Sequence, residues 1–122
     1  MIKDGIYSKE ELAICGLTDK LILKEIKQLY IDVITNDNDC LAISLNEIKL
    51  ITLKNLVQFF YIRDNKIIGY VKANKSMYCK RKHYLTNATI LIHPDFQLFG
   101  YGVKLILKFL NYIKKSNTYK VL

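Results

Sequence analysis

Proline occurs once in this 122-residue chain, tryptophan not at all and glycine five times, so no stretch has the composition of an interdomain linker. A single domain spanning residues 1–122 is expected. No apolar run reaches the length needed to cross a bilayer, and Asp4, Lys9, Glu10 and Glu11 precede any long one, which argues against a signal peptide. The three cysteines, Cys15, Cys40 and Cys79, are far apart and form no C-x-x-C pair. Neither a disulfide framework nor a zinc site is indicated, and no metal is expected. These absences together point to a cytoplasmic protein with no membrane contact.

Arginine is nearly missing too, with only Arg63 and Arg81, while isoleucine, lysine and asparagine abound. That bias fits an AT-rich coding sequence and discounts the formal net charge of +8. The charge still favours polyanionic ligands such as a phosphorylated cofactor, with nucleic acid as the lesser reading. The hydrophobic fraction of 51% is that of an ordinary folded chain.

Periodicity orders the elements. Residues 11–17 read as a short first strand. Thr18-Asp19 then caps a helix whose face carries Ile22, Ile26, Leu29, Tyr30, Val33 and Ile34 and which ends near Asn36. Ser44 and Glu47 have capping-box spacing ahead of Ile48, Ile51 and Leu56, marking a second helix within residues 44–56. Residues 57–63 and 67–73, rich in aromatic and β-branched types, flank Asp64-Asn65-Lys66 as a hairpin. Lys80-Arg81-Lys82 separates that hairpin from a strand running from Tyr84 to Ile92, and a last strand is expected at 118–122.

The most informative stretch lies between those two strands. His93-Pro94-Asp95-Phe96 leads into Gln97-Leu98-Phe99-Gly100-Tyr101-Gly102, and from Val103 onward apolar residues recur at Ile106, Leu107, Leu110 and Ile113. A glycine-bearing turn between strand and helix lets backbone N–H groups converge on an anion, aided by the positive end of the helix dipole. A pyrophosphate suits such a turn.

The same residues resemble motif A of the GNAT superfamily of acyl-coenzyme A-dependent N-acyltransferases: apolar strand, Pro, aromatic, then Arg/Gln-x-x-Gly-x-Gly/Ala and a helix. Ile90 to Ile92, Pro94, Phe96, Gln97, Gly100, Gly102, Lys104 and Leu105 fall where that pattern places their types. Leu98 departs from it, since many members carry Gly there. The resemblance implies an α/β (α+β) fold with a mixed, mainly antiparallel sheet flanked by helices, truncated after the fifth strand, with a second copy of the chain covering the exposed edge.

It further implies acetyl-coenzyme A or another acyl-coenzyme A as co-substrate and an amine as acceptor. Ile90, Leu91 and Ile92 would hold the pantetheine arm, and Gln97, Leu98, Phe99, Gly100, Tyr101, Gly102 and Val103 the pyrophosphate. The carboxylate that many members place on the fourth strand is missing here, which leaves Tyr84 and His83 as the candidates for proton transfer. A catalytically degenerate, coenzyme-binding module is therefore an alternative. A basic nucleic-acid-binding module, with Phe59, Phe60, Tyr61, Tyr70 and Tyr78 as stacking groups, is another.

Overall fold

Ser8 decides how the chain begins. Its Oγ accepts from the Glu11 amide (3.1 Å) while Glu11 Oε1 accepts from the Ser8 amide (3.0 Å), a reciprocal cap that starts α1 (Lys9–Ile14). Gly16, with φ +94°, ends it: its amide bonds to the Ala13 carbonyl and that of Leu17 to the Leu12 carbonyl. Residues 11–17 are therefore helix and helix end, correcting the strand expected there. The first strand, β1 (Gly5–Ser8), precedes them.

The computed structural model describes residues 2–36, 45–79, 82–116 and 119–121. After α1 come α2 (Asp19–Asn36), α3 (Leu45–Lys49), β2 (Leu56–Arg63), β3 (Lys66–Cys79), β4 (Lys82–Ile92), a 3-10 turn at Pro94–Phe96, α4 (Tyr101–Ser116) and β5 (Tyr119–Val121). Thr18 Oγ1 accepts from the Leu21 amide (3.2 Å) and caps α2, as its sequence pattern requires. The second capping pattern lies partly outside the described residues, since Ser44 is not among them, and Leu56 belongs to β2 rather than to a helix.

The strands form one sheet in the order β1-β2-β3-β4-β5. The first four run antiparallel to their neighbours, and β5 pairs with β4 in parallel. The β2–β3 turn places Asp64 (φ 50°) and Asn65 (φ 62°) in the left-handed region, the geometry that matches the twist of a two-residue hairpin. Strand β3 runs six residues beyond the expected end at Ala73, to Cys79. Its polar extension lacks the apolar alternation that marks a strand, and it is held by pairing with β4.

Side chains alternate between two cores. Phe60, Ile62, Tyr70 and Leu91 face α2 and pack with Ile22, Ile26, Leu29, Tyr30 and Val33. Val57, Phe59, Val71, Ala73 and Leu85 face the other way, against Leu105 and Phe109 of α4. Helix α4 comes close to the sheet over Gly69, where an added Cβ would lie 3.4 Å from Leu105 Cδ2 of α4, besides meeting Ile92 Cδ1 of β4 at 2.9 Å and Tyr61 Cβ of β2 at 3.2 Å. Burial raises the phenol pKa of Tyr70 far above its ordinary value, with the Tyr30 phenol adding to the rise. A neutral Tyr70 donates to Gln58 Oε1 (2.8 Å), whose Nε2 donates to the Leu53 carbonyl (3.0 Å), so the one buried polar side chain among the described residues is satisfied.

Candidate functional site

Strand β4 changes character midway. Thr89 registers with Lys72 and Thr86 with Asn74, so Asn87 and Ala88 together oppose Ala73 alone. This is a β-bulge, and Asn87 takes its φ of 54° as an asparagine can more readily than a branched residue. On its outer side β4 pairs with β5 only at His83, Tyr84 and Leu85. From the bulge onward no described strand pairs with that edge of β4.

The direction of each backbone group on this edge follows from one hydrogen bond. The His93 amide donates to the Ile68 carbonyl (2.7 Å), so residue 93 points toward β3. By alternation Leu91 points the same way, and Ile90 and Ile92 present their N–H and C=O groups to the open edge. Leu91 is also buried under α2. Of the three residues expected to hold a pantetheine arm, Ile90 and Ile92 share the edge. Leu91 does not, because a strand cannot aim adjacent residues the same way.

The glycine turn closes the groove at the strand's far end. Gln97 Nε2 donates to the Ile92 carbonyl (3.1 Å), so this side chain fastens the turn to β4 rather than reaching outward. Tyr101 packs edge-on against Tyr61 (5.0 Å) and Phe96 (5.9 Å), and the Arg63 guanidinium lies 5.6 Å from the centres of the Phe96 and Tyr101 rings. That cluster anchors the inner side of the turn. Leu98, Phe99 and Gly100 are exposed.

Helix α4 starts at Tyr101, so Gly102 belongs to its first turn and not to the loop. The Lys104 amide bonds to the Gly100 carbonyl (3.1 Å), and no backbone acceptor takes the amides of Leu98 to Val103 among the described residues. The first turn carries no acidic side chain and includes Lys104. Unengaged donors, a helix dipole and a nearby cation favour an anion. A Cβ on Gly102 would lie 3.6 Å from Ile92 Cγ1 and 3.9 Å from Ile90 Cδ1, ordinary contact distances, so the first turn of α4 sits close against the side chains of β4 and a larger side chain at 102 would crowd them. The residues present fit a diphosphate with an extended arm.

Leu98 sits at φ 72°, a conformation that glycine adopts freely and a residue with a Cβ does not. Its exposed side chain contributes no burial to offset this. Replacing Leu98 by Gly is expected to leave the fold intact and raise stability by up to about 1 kcal/mol. A melting temperature lowered by several degrees would contradict that account.

His83 and Tyr84 lie on β4 at the closed end of the gap, in register with Met77 and Ser76 on one side and Tyr119 and Lys120 on the other. Their side chains lie outside the described residues. His93 is a bracing residue: Nε2 lies 3.4 Å from Asp32 Oδ2, and Nδ1 accepts from the Asp95 amide (3.1 Å), tying α2 to the turn.

Three of the five stacking groups of the nucleic-acid reading are occupied in the core, while Tyr61 is half-buried against Tyr101. Phe60 stacks on Tyr70 at 5.1 Å, Phe59 meets the Tyr112 edge at 5.5 Å, and Phe59, Phe60 and Tyr70 are buried. They offer no face to a base. Lys80 and Arg81, and the side chains of Tyr78 and Lys82, lie outside the described residues. Among the described residues no cluster of three or more metal-ligating side chains forms, and no helix is long and apolar enough to cross a membrane.

On the sheet face opposite α4 lies a group that sequence reasoning missed. Lys72 is half-buried on β3 beside Tyr70, its Nζ donating to Asn74 Oδ1 (3.3 Å), and desolvation lowers its pKa below the ordinary lysine value. The signal was available: Tyr70, Lys72 and Asn74 alternate as polar residues on the face that elsewhere along β3 packs under α2.

Comparison with known proteins brings this geometry into a family. The sequence model described as the acetyltransferase (GNAT) family matches residues 23–122. No curated protein matches the chain. Among solved structures, a possible acetyltransferase from Clostridium difficile 630 is similar with a TM-score of 0.66 at 8% identity, covering 97% of this chain and 78% of its own. An aminoglycoside acetyltransferase from an uncultured soil metagenomic sample, in complex with sisomicin, is 21% identical with a TM-score of 0.58, over 97% of this chain and 74% of that one. An aminoglycoside N-acetyltransferase in complex with CoA is 15% identical with a TM-score of 0.56, over 97% and 76%. At these identities the structures speak for the fold.

Proposed function

Because the chain belongs to the GNAT acetyltransferase family, we propose that it binds an acyl-coenzyme A, acetyl-coenzyme A in the first instance, and transfers the acyl group to a primary amine. The observation that carries this reading is the combination of unengaged amides at Leu98 to Val103 with a β4 edge that pairs with no described strand at Ile90 and Ile92, the Ile92 carbonyl alone being taken there by Gln97. The turn holds diphosphate oxygens, while the Ile92 amide and the Ile90 amide and carbonyl pair with the amide groups of an extended arm. Exposed Ile90 and Val103 give that arm apolar walls.

An arm following this edge from the turn passes Ile92 and Ile90, reaches the bulge, and must stop where β5 joins at Leu85. The reacting carbon therefore lies beside Asn87 and Ala88. The thioester supplies an activated acyl group: the amine nitrogen bonds to its carbonyl carbon, the C–S bond breaks, and the thiol leaves with the proton that the amine loses. Edge N–H groups of β4 act as donors to the developing oxyanion. Tyr84 and His83, near the closed end, are the proposed proton-transfer groups.

Acetyl-coenzyme A at ten times its dissociation constant is expected to stabilise the protein by about 1.4 kcal/mol, a rise of several degrees in melting temperature. No shift at millimolar ligand would remove the reading. A second reading, coenzyme binding without turnover, is favoured by the lack of any carboxylate along β4. A thermal shift with no thiol release over a broad amine panel selects it.

A further inference from the structure

A cavity of about 430 Å³ opens on the α2 face of the sheet, between Tyr30, the 50–56 segment and β3. Its volume is at the small end of the range for ligand sites, roughly 300–1,000 Å³. Tyr30 and Tyr70 form its apolar wall, and every charged residue lining it is a lysine: Lys54, Lys72 and Lys75. The Lys75 amide donates to the Asn55 carbonyl (2.8 Å), which fixes the 50–56 segment to β3 and gives the cavity a defined side.

Lys72 is the centre of the argument. Its ammonium is half-buried, its polar partner is the neutral Asn74, and no carboxylate lies within ion-pairing distance among the described residues. A charge withdrawn from water without a counter-charge is unfavourable, and the described residues supply no anion to relieve it. The position also matters. Lys72 registers with Thr89 and Asn74 with Thr86, so the cavity floor flanks the β4 bulge, one strand in from the open edge.

We propose that this cavity holds the amine acceptor and selects amines that also carry a carboxylate, amino-acid-like acceptors, over simple amines and polycations. The proposal rests on the acyl-transfer reading for the word acceptor, and its own content is the anion preference. The carboxylate pairs with Lys72, with Lys54 adding to the field, and the apolar part of the ligand lies against Tyr30 and Tyr70. The amine is thereby directed toward the bulge. A polycation such as an aminoglycoside would meet Lys54 and Lys72, with no acid among the described lining residues.

The test pairs amino acids with their decarboxylated amines, for instance L-phenylalanine with 2-phenylethylamine and L-leucine with isopentylamine, plus kanamycin as polycation. Each is titrated into the protein by calorimetry without coenzyme, then offered with acetyl-coenzyme A while thiol release is followed. Amino acids are expected to bind at least tenfold more tightly than their decarboxylated partners, less so at high salt, and Lys72→Met is expected to erase the difference. Lys54→Gln, at an exposed site, is the second variant and should narrow the gap severalfold even if Lys72→Met fails to fold.

Equal binding of the paired amines, or preference for kanamycin, overturns the proposal. Acetyl-coenzyme A melting shifts are measured on the same samples. Intact shifts with no carboxylate preference remove the acceptor class alone, whereas absent shifts with the preference kept remove the transferase reading and leave an amino-acid site.

Discussion

Gly102→Val is expected to reduce the affinity for acetyl-coenzyme A by at least 100-fold while leaving a folded protein. The Cβ of any residue at 102 lies in contact with Ile92 and Ile90, and the two methyl groups of valine must occupy the space between the first turn of α4 and the open β4 edge. That space is the proposed path of the coenzyme arm. No positive φ occurs at Gly102, so the substitution introduces no left-handed strain, and valine's weaker helix propensity than alanine's is a matter of tenths of a kcal/mol. Gly100 is a poorer target: at φ 81° a side chain is strained, yet its Cβ would meet nothing within 4 Å, so the cost falls on the fold rather than the ligand. Calorimetric titration of Gly102→Val and Gly100→Val, with circular dichroism melts as control, separates the two effects. Binding by Gly102→Val at the wild-type level would contradict the groove.

The largest effect on stability is expected for Phe60→Ala. Phe60 is fully buried, stacked on Tyr70, and set among the side chains that join α1 and α2 to the sheet. Truncation removes the ring and leaves a cavity under two helices, a change worth about 3–5 kcal/mol. Against the total of about 5–15 kcal/mol usual for a domain, that is enough to leave a marginal protein largely unfolded at 37 °C. The neighbouring network sharpens the comparison. Tyr70→Phe keeps the stack but leaves the buried Gln58 carbonyl without its donor, costing about 1–3 kcal/mol. Denaturant melts of both variants check the order, and a Phe60→Ala loss below that of Tyr70→Phe would show that the core is not organised around this ring.

Much of this was written locally in the sequence. The α2 face, the Asp64-Asn65 hairpin and the periodicity after Val103 each follow from spacing that a single element fixes by itself. The glycine turn was legible because strand, turn and helix are contiguous. Residues 8–16 also carried a complete local signal, Ser8 and Glu11 at capping-box spacing with Gly16 beyond, but the short apolar run 12–17 suits either a strand or a helix at that length.

The features that remained hidden are all set by partners distant in sequence. The polar end of β3 becomes a strand only because β4 pairs with it. Leu91 is lost to the coenzyme edge only once the His93 to Ile68 hydrogen bond sets the phase of β4. The lysine-lined cavity joins the 50–56 segment to β3, and the alternation of Tyr70, Lys72 and Asn74 marks only its β3 side.

Amide resonances followed by two-dimensional NMR during titration with coenzyme A test the central claim most directly. The account predicts that the amides of Leu98 to Val103 shift together with those of Ile90 and Ile92, while Leu91, whose N–H is engaged with β3, and the buried face of α2 move little. Loop amides that stay unmoved at millimolar coenzyme A, or shifts confined to other surfaces, would contradict it.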